Sequence, residues 1–196
     1  MDRGSRHKKY GSNSCFGFNL IEAAIVLGVI GLIIGGIWIA ASSYTQKQNA
    51  VQLASNYFTI SNGAIDLYRR TPATAPISAT ILAAAGIFPS TYTDLGADTR
   101  SIPFTSDGYI YVSDGVPANN NLIAITYVNL PVTYCISIVQ AMQTDLSRVS
   151  SIYFDCCGST LRSSLPFSTA QIVDNCTNSA YGDGVTDSIG VNLAKN

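Results

Sequence analysis

The sequence predicts an α+β protein: a long N-terminal helix, its first half transmembrane, packed on an antiparallel β-sheet, with a C-terminal region that carries four cysteines. Three observations predict it. Residues 23–41 form an unbroken run without a charge. Directly after it, apolar residues recur at helical spacing as far as Arg70. Beyond Phe104, short β-branched and aromatic stretches alternate with turn residues and two further helical patterns.

The 19 residues of the apolar run make about 28 Å of helix, close to the ~30 Å hydrocarbon core of a bilayer. Phe18, Leu20 and Ile21 extend it, and a run apolar on every face is a membrane span rather than a core helix. A cleaved secretory signal is excluded, since its apolar region is shorter and ends at a small-residue site. At the head of the run stands Glu22, the only glutamate of the chain. A carboxylate at the centre of a membrane helix costs about 2.5–3.5 kcal/mol, and less toward an interface, so this one asks for a partner.

Upstream, residues 1–17 carry Arg3, Arg6, Lys8 and Lys9 against Asp2, which keeps this end in the cytoplasm and sends everything after Ala41 outward. Without these residues, 7 basic and 11 acidic side chains remain, a balance of −4 that gives no support for nucleic-acid binding. Cys135, Cys156, Cys157 and Cys176 form an even set in the exported part, suited to a disulfide-permitting compartment, while Cys15 stays behind.

From Ser42 to Arg70 the helix continues as an amphipathic one, with Ala50, Leu53, Tyr57, Ile60, Ala64 and Leu67 at alternating three- and four-residue steps as its inward face. Gln46, Lys47, Gln48, Asn49, Gln52, Asn56 and Asn62 are polar. Arg69 and Arg70 suit the C-terminal end of the helix dipole, and Thr71-Pro72 marks the stop. Glycines at 28, 31, 35, 36 and 63 lower helix propensity by about 1 kcal/mol each relative to alanine. The segment 31–36 is expected to loosen when the helix leaves lipid for the core of an assembly.

Residues 71–104 read as a connecting segment with a short helical patch around 77–85. Strands are expected at 109–112, after the Asp107-Gly108 turn, and at 122–128, after Asn119–Asn121, pairing as neighbours. Leu130-Pro131 opens a helix carrying Val132, Cys135, Ile136, Val139, Met142 and Leu146, with the proline in its first turn. A strand at 151–155, a helix at 168–176 capped by Ser168 or Thr169, and a last strand at 187–194 complete the order. Such an order gives an α+β domain with one antiparallel sheet on the long helix.

The four exported cysteines permit three pairings. Adjacent cysteines more naturally face different partners, which favours two bridges, each joining Cys156 or Cys157 to Cys135 or Cys176, over a vicinal bridge. The Cys156-Cys157 pair lacks the Cys-x-x-Cys spacing of an oxidoreductase. The sole histidine, His7, lies in the leader, so the remainder can form neither a Ser-His-Asp triad nor a histidine-bearing metal site. No catalytic residue, metal site or cofactor is expected. Asp183 and Asp187, with Asp174 nearby, read as a plain turn before the last strand rather than a calcium loop, because the spacing does not match an EF-hand.

The stretch Gly17-Phe-Asn-Leu-Ile-Glu-Ala-Ala-Ile-Val-Leu-Gly-Val-Ile-Gly-Leu-Ile33 resembles the class III signal of type IV pilins and their relatives. The resemblance implies cleavage after Gly17 by prepilin peptidase, an N-methylated Phe18 as the new first residue, and pairing of Glu22 with the Phe18 amino group of a neighbouring subunit. One departure is Cys15-Phe16 before the glycine, where a basic residue is common in the family. Asn129-Leu-Pro-Val-Thr-Tyr-Cys135 and the later Cys176 resemble the C-terminal half of type IVb pilins. That resemblance implies a disulfide bounding the C-terminal region, here Cys135–Cys176.

The chain is thus expected to divide into a leader at 1–17, a transmembrane and filament-core half-helix at 18–42, an amphipathic half at 43–70 and a globular head at 71–196. The implied fold is the type IV pilin fold and the implied role that of a non-enzymatic filament subunit, major or minor. Implied partners are other copies of itself, prepilin peptidase, the inner-membrane assembly platform, minor pilins, the inner membrane before assembly and a host-surface ligand, with no nucleic acid. The implied location is the bacterial inner membrane, then the extracellular pilus. Rival readings are a type II secretion pseudopilin, a tip or DNA-uptake minor pilin, and a membrane-anchored enzyme or binding protein that never polymerises.

Overall fold

The computed structural model describes residues 19–71, 76–115, 119–155, 160–162, 165–178 and 185–194. Two compact units divide the chain, Met1–Tyr44 and Thr45–Asn196. A single helix, α1 (Leu20–Arg70), supplies the described structure of the first and opens the second. It runs unbroken through Gly28, Gly31, Gly35 and Gly36, around which a Cβ would meet only open space. Among the described residues, no neighbour requires those four positions to be glycine.

In the second unit, α1 presents Ala50, Leu53, Tyr57, Ile60, Ser61, Ala64, Ile65 and Tyr68 inward. Leu67, expected on this face, is only half-buried. The reason is geometric: alternating steps of three and four average 3.5 residues per turn, whereas a straight helix turns every 3.6, so the buried stripe drifts and reaches Tyr68 by the last turn. Burial of side chains such as Leu53 and Ile60 stabilises the head by about 1.5–3 kcal/mol each.

That stripe lies on a seven-stranded antiparallel sheet built from β1 (Asp94–Gly96), β2 (Thr99–Ser101), β3 (Tyr109–Gly115), β4 (Asn119–Pro131), β5 (Val149–Asp155), β6 (Thr160–Arg162) and β7 (Val185–Ala194). Their spatial order is β1-β2-β3-β4-β7-β5-β6, so the last strand in sequence fills the middle of the sheet. Three shorter helices, α2 (Ala79–Ala84), α3 (Val132–Thr144) and α4 (Thr169–Asn178), complete the described elements. This α+β layout, with α1 packed on the sheet, fits the type IV pilin fold that the resemblance implies.

The β3–β4 pairing is as expected, with both strands extending beyond the β-branched core that signals them. Two features depart from the sequence reading. Residues 94–101 are not a plain connection but the β1–β2 hairpin, and β6 pairs with β5 where no strand was expected. All three strands have three residues each, too short for an alternation to register. The hairpin turns through Ala97 and Asp98, both at positive φ, as a two-residue turn with the twist of the flanking strands demands. Asp98 Oδ1 then accepts a bond from the Thr80 amide (2.8 Å), and Ser78 Oγ accepts one from Ile81 (3.2 Å), so the turn and the cap together satisfy the start of α2.

Pro131 ends β4 and stands at the N-cap of α3 rather than inside its first turn, and Leu146 falls beyond the helix and is exposed. At α4 the cap is Ser168. Its Oγ accepts from the Gln171 amide (3.3 Å) while Gln171 Oε1 accepts from the Ser168 amide (2.8 Å), a reciprocal capping box.

The central strands are buried on both faces. On the α1 side lie Ile123, Ile125, Tyr127, Ile152, Phe154, Ile189, Val191 and Leu193. On the other, Tyr153 hydrogen-bonds Thr126, and Asn192 Nδ2 donates to Ser151 Oγ (2.9 Å). Between Thr126 and Tyr153 the strand register places Gly190, where an added Cβ would come 2.1 Å from the tyrosine ring. Glycine is required there because the ring lies directly over the backbone.

Three core tyrosines titrate abnormally. Burial pushes the Tyr92 hydroxyl up to about 12, with Asn56 partly opposing the rise. Burial also raises Tyr57, with Asp145 adding and Ser61 and Arg148 opposing. Tyr127 is raised by burial first, then by Tyr92 and Tyr57. For each, the folded value lies above the ~10 of an unfolded chain, so the stabilisation is whole below pH ~10 and is lost as pH climbs toward the folded values. Alkaline titration is therefore expected to show tyrosinate absorbance rising together with loss of circular dichroism above pH ~10. Complete tyrosine ionisation with the fold intact would contradict it.

Candidate assembly site

The start of α1 is built by Asn19. Its Oδ1 accepts a bond from the Ile21 amide (3.4 Å), and its carbonyl accepts from Glu22 (2.9 Å) and Ala23 (3.1 Å). Glu22 is thereby fixed in the first turn, exposed, where its negative charge suits the positive end of the helix dipole. Gly17 and Phe18, expected as the cleavage site and the partner amino group, lie outside the described residues, as does Cys15.

Beyond Glu22 every large apolar side chain from Ile25 to Ile39 is exposed, on all sides of the helix. Soluble monomers rarely expose contiguous apolar patches above a few hundred Å². This helix is long and apolar enough to cross a membrane, and lies near the N-terminus. Trp38 and Tyr44, 73% and 63% exposed, stand toward the end of its charge-free stretch. The Ser42 and Ser43 hydroxyls between them turn back to the Ile39 carbonyl. Lys47 is the first charge after Glu22. Trp and Tyr are the side chains enriched where membrane helices meet water. Sequence reasoning missed Asn19, Trp38 and Tyr44, although the only tryptophan of the chain was a readable signal.

In the head, Cys135 of α3 is bonded to Cys176 of α4, with 5.9 Å between their Cα atoms and both residues fully buried. The pairing that the resemblance implies is therefore present. The preference for bridges from Cys156 or Cys157 to these two residues is corrected: α3 and α4 pack side by side and bring Cys135 and Cys176 together, a tertiary contact that spacing alone does not encode. Cys156 and Cys157 lie outside the described residues. The bridge spans a sequence separation of 41, a closure worth about 3–4 kcal/mol in the loop-entropy account.

Among the described residues no three His, Cys, Asp or Glu side chains gather as metal ligands. Asp174 is exposed on α4, and Asp183 and the Asp187 side chain lie outside the described residues.

Comparison with known protein families and with curated proteins finds no match to this chain.

Non-reducing digestion and mass spectrometry are expected to recover a peptide pair linked through Cys135 and Cys176, and C135A/C176A to lose about 3–4 kcal/mol of stability in denaturant. A link from either residue to Cys156 or Cys157 would contradict the pairing.

Proposed function

We propose that this chain is a structural, non-catalytic subunit of a type IV pilus, most like the type IVb group. It is made as a prepilin in a bacterial inner membrane, cut after Gly17, N-methylated at Phe18, and polymerised into an extracellular filament for adhesion, cell aggregation or conjugation. The observation that carries this reading is the leading part of α1: large apolar side chains from Ile25 to Ile39 exposed on every face, preceded by the carboxylate of Glu22.

Such a helix requires an apolar environment before and after assembly. Lipid supplies the first, and the packed helices of other copies supply the second. Apolar packing alone has no preferred axial register. A carboxylate in that environment penalises every register that leaves it unpaired. The amino group of Phe18, created only by cleavage, is the partner the reading assigns to Glu22. Prepilin peptidase, the assembly platform and minor pilins are the partners implied before polymerisation, and a host-surface ligand afterwards.

Mass spectrometry of sheared fibres tests the proposal. The expected mature N-terminus is methylated Phe18, and an intact Met1 confined to membranes would overturn it. Glu22→Ala is expected to insert and be processed normally, because the span only becomes more apolar. Its fibre yield should fall roughly tenfold or more, the effect of about 1.4 kcal/mol lost per contact.

A further inference from the structure

Between α1 and α3 the surface of the second unit opens into a cleft of about 290 Å³. Small side chains make it: Ala54 of α1 and Ala141 of α3 stand where longer ones would close the gap. Both ends are tied. Asn49 Nδ2 of α1 donates to the Tyr134 hydroxyl of α3 (3.4 Å), and Arg148, in the turn after α3, hydrogen-bonds Asn62 of α1. The cleft is therefore preformed, and filling it requires no rearrangement of either helix.

Its size and lining restrict what it can hold. At about 290 Å³ it falls just below the ~300–1,000 Å³ of pockets that enclose a drug-sized ligand, which suits one bulky side chain. Phe58 offers a half-buried ring, and Val51 is 70% exposed at the rim. Ser137 Oγ donates to the Thr133 carbonyl (3.1 Å), and Thr144 Oγ1 to the Ala141 carbonyl (2.7 Å). With their protons committed, these two oxygens can only accept.

The matching occupant is an aromatic ring that carries a donor and no acceptor. Of the uncharged aromatic side chains, only tryptophan is of that kind. The chain has one, Trp38, 73% exposed on the leading part of α1. Trp38 and Ala54 stand on one unbroken helix, so a chain cannot fold its tryptophan into its own cleft. A parallel copy, shifted along the helix axis, presents it there.

We propose that Trp38 of one copy seats in the α1–α3 cleft of another, its ring against Phe58 and its Nε1–H bonded to the hydroxyl oxygen of Ser137 or Thr144. The contact rests on the filament reading above and names one interface within it. Knob and hole lie on different patches of the same chain, so the contact is heterologous and propagates along a filament instead of closing a dimer. A lipid chain or an aliphatic side chain would fill the space and leave both acceptors unused.

Two variants of the full chain test this. Trp38→Ala removes the knob, and Ser137→Phe fills the cleft from α3. Each is expected to lower fibre yield roughly tenfold, with leader processing and the Tm in detergent micelles unchanged. Together they lower the yield no further than either alone, because they remove one contact. Normal yield from either variant, or an additive loss, overturns the proposal. Helical reconstruction of fibres of the unmodified chain decides the question even where a variant misfolds. The Trp38 indole is expected between residues 50–58 and 137–144 of a second copy, and a cleft left empty, or filled by lipid or another side chain, overturns it. Fibres that begin at methylated Phe18 but place Trp38 elsewhere sink this contact alone, whereas fibres lacking the chain sink the filament reading and the contact with it.

Discussion

Leu53, Tyr57, Ile60 and Ala64 are wholly removed from solvent, although they stand on the same helix that exposes its apolar side chains on every face from Ile25 to Ile39. One helix therefore meets two demands. Its leading part needs an apolar medium on all sides, and its trailing part needs one face covered and the other wet. The sheet satisfies the second demand, since Ile123, Ile125 and Tyr127 of β4 and Ile189, Val191 and Leu193 of β7 meet the buried stripe. Remove that contact and the buried stripe of α1 loses the sheet, while the sheet loses part of the cover over its central strands, the rest coming from α3. The short elements depend on it in turn: α2 contributes Leu82 to the same core, and Arg148, in the turn after α3, hydrogen-bonds Asn62 on α1.

The opposite side of the sheet is closed by different chemistry. There the contacts are Tyr153 to Thr126 and Asn192 to Ser151, with the Tyr153 ring over Gly190. Aliphatic packing on one face and paired polar groups on the other make the two sides non-equivalent. A one-residue slip of β7 would exchange Asn192 for an aliphatic neighbour on both faces at once, so the register is strongly specified.

Long periodic elements were legible in the sequence, and so was the Glu22-bearing start of the span. The amphipathic half of α1 was readable because Leu53, Tyr57, Ile60 and Ala64 repeat over several turns. Its last turn was not, since the choice between Leu67 and Tyr68 depends on a cumulative drift that no single step reveals. The β1–β2 hairpin escaped because Ala97 and Asp98 are not the glycine-bearing pair that usually marks such a turn. Cysteine pairing is set by the approach of α3 to α4, and counting or adjacency carries no information about that approach. At the candidate site, the charge-free run made Glu22 stand out, whereas Asn19, which builds the start of the helix, carries no periodic signal.

β7 sits between β4 and β5, which do not pair with each other. Until residues 185–194 arrive, the sheet exists as two fragments, one ending at β4 and one at β5, each with an open edge of backbone donors and acceptors. Edges of this kind pair readily with whatever strand is nearest. A chain delivered N-terminus first would expose β4 throughout the interval in which the residues between it and β7 emerge, and non-local closures of this type are slow. The Cys135–Cys176 link falls inside that interval and ties the two helices that flank β5. It shortens the search for the final strand by holding the fragments in one neighbourhood. Wherever several copies of the chain fold close together, the timing of β7 decides whether a strand finds its own chain or a neighbour's.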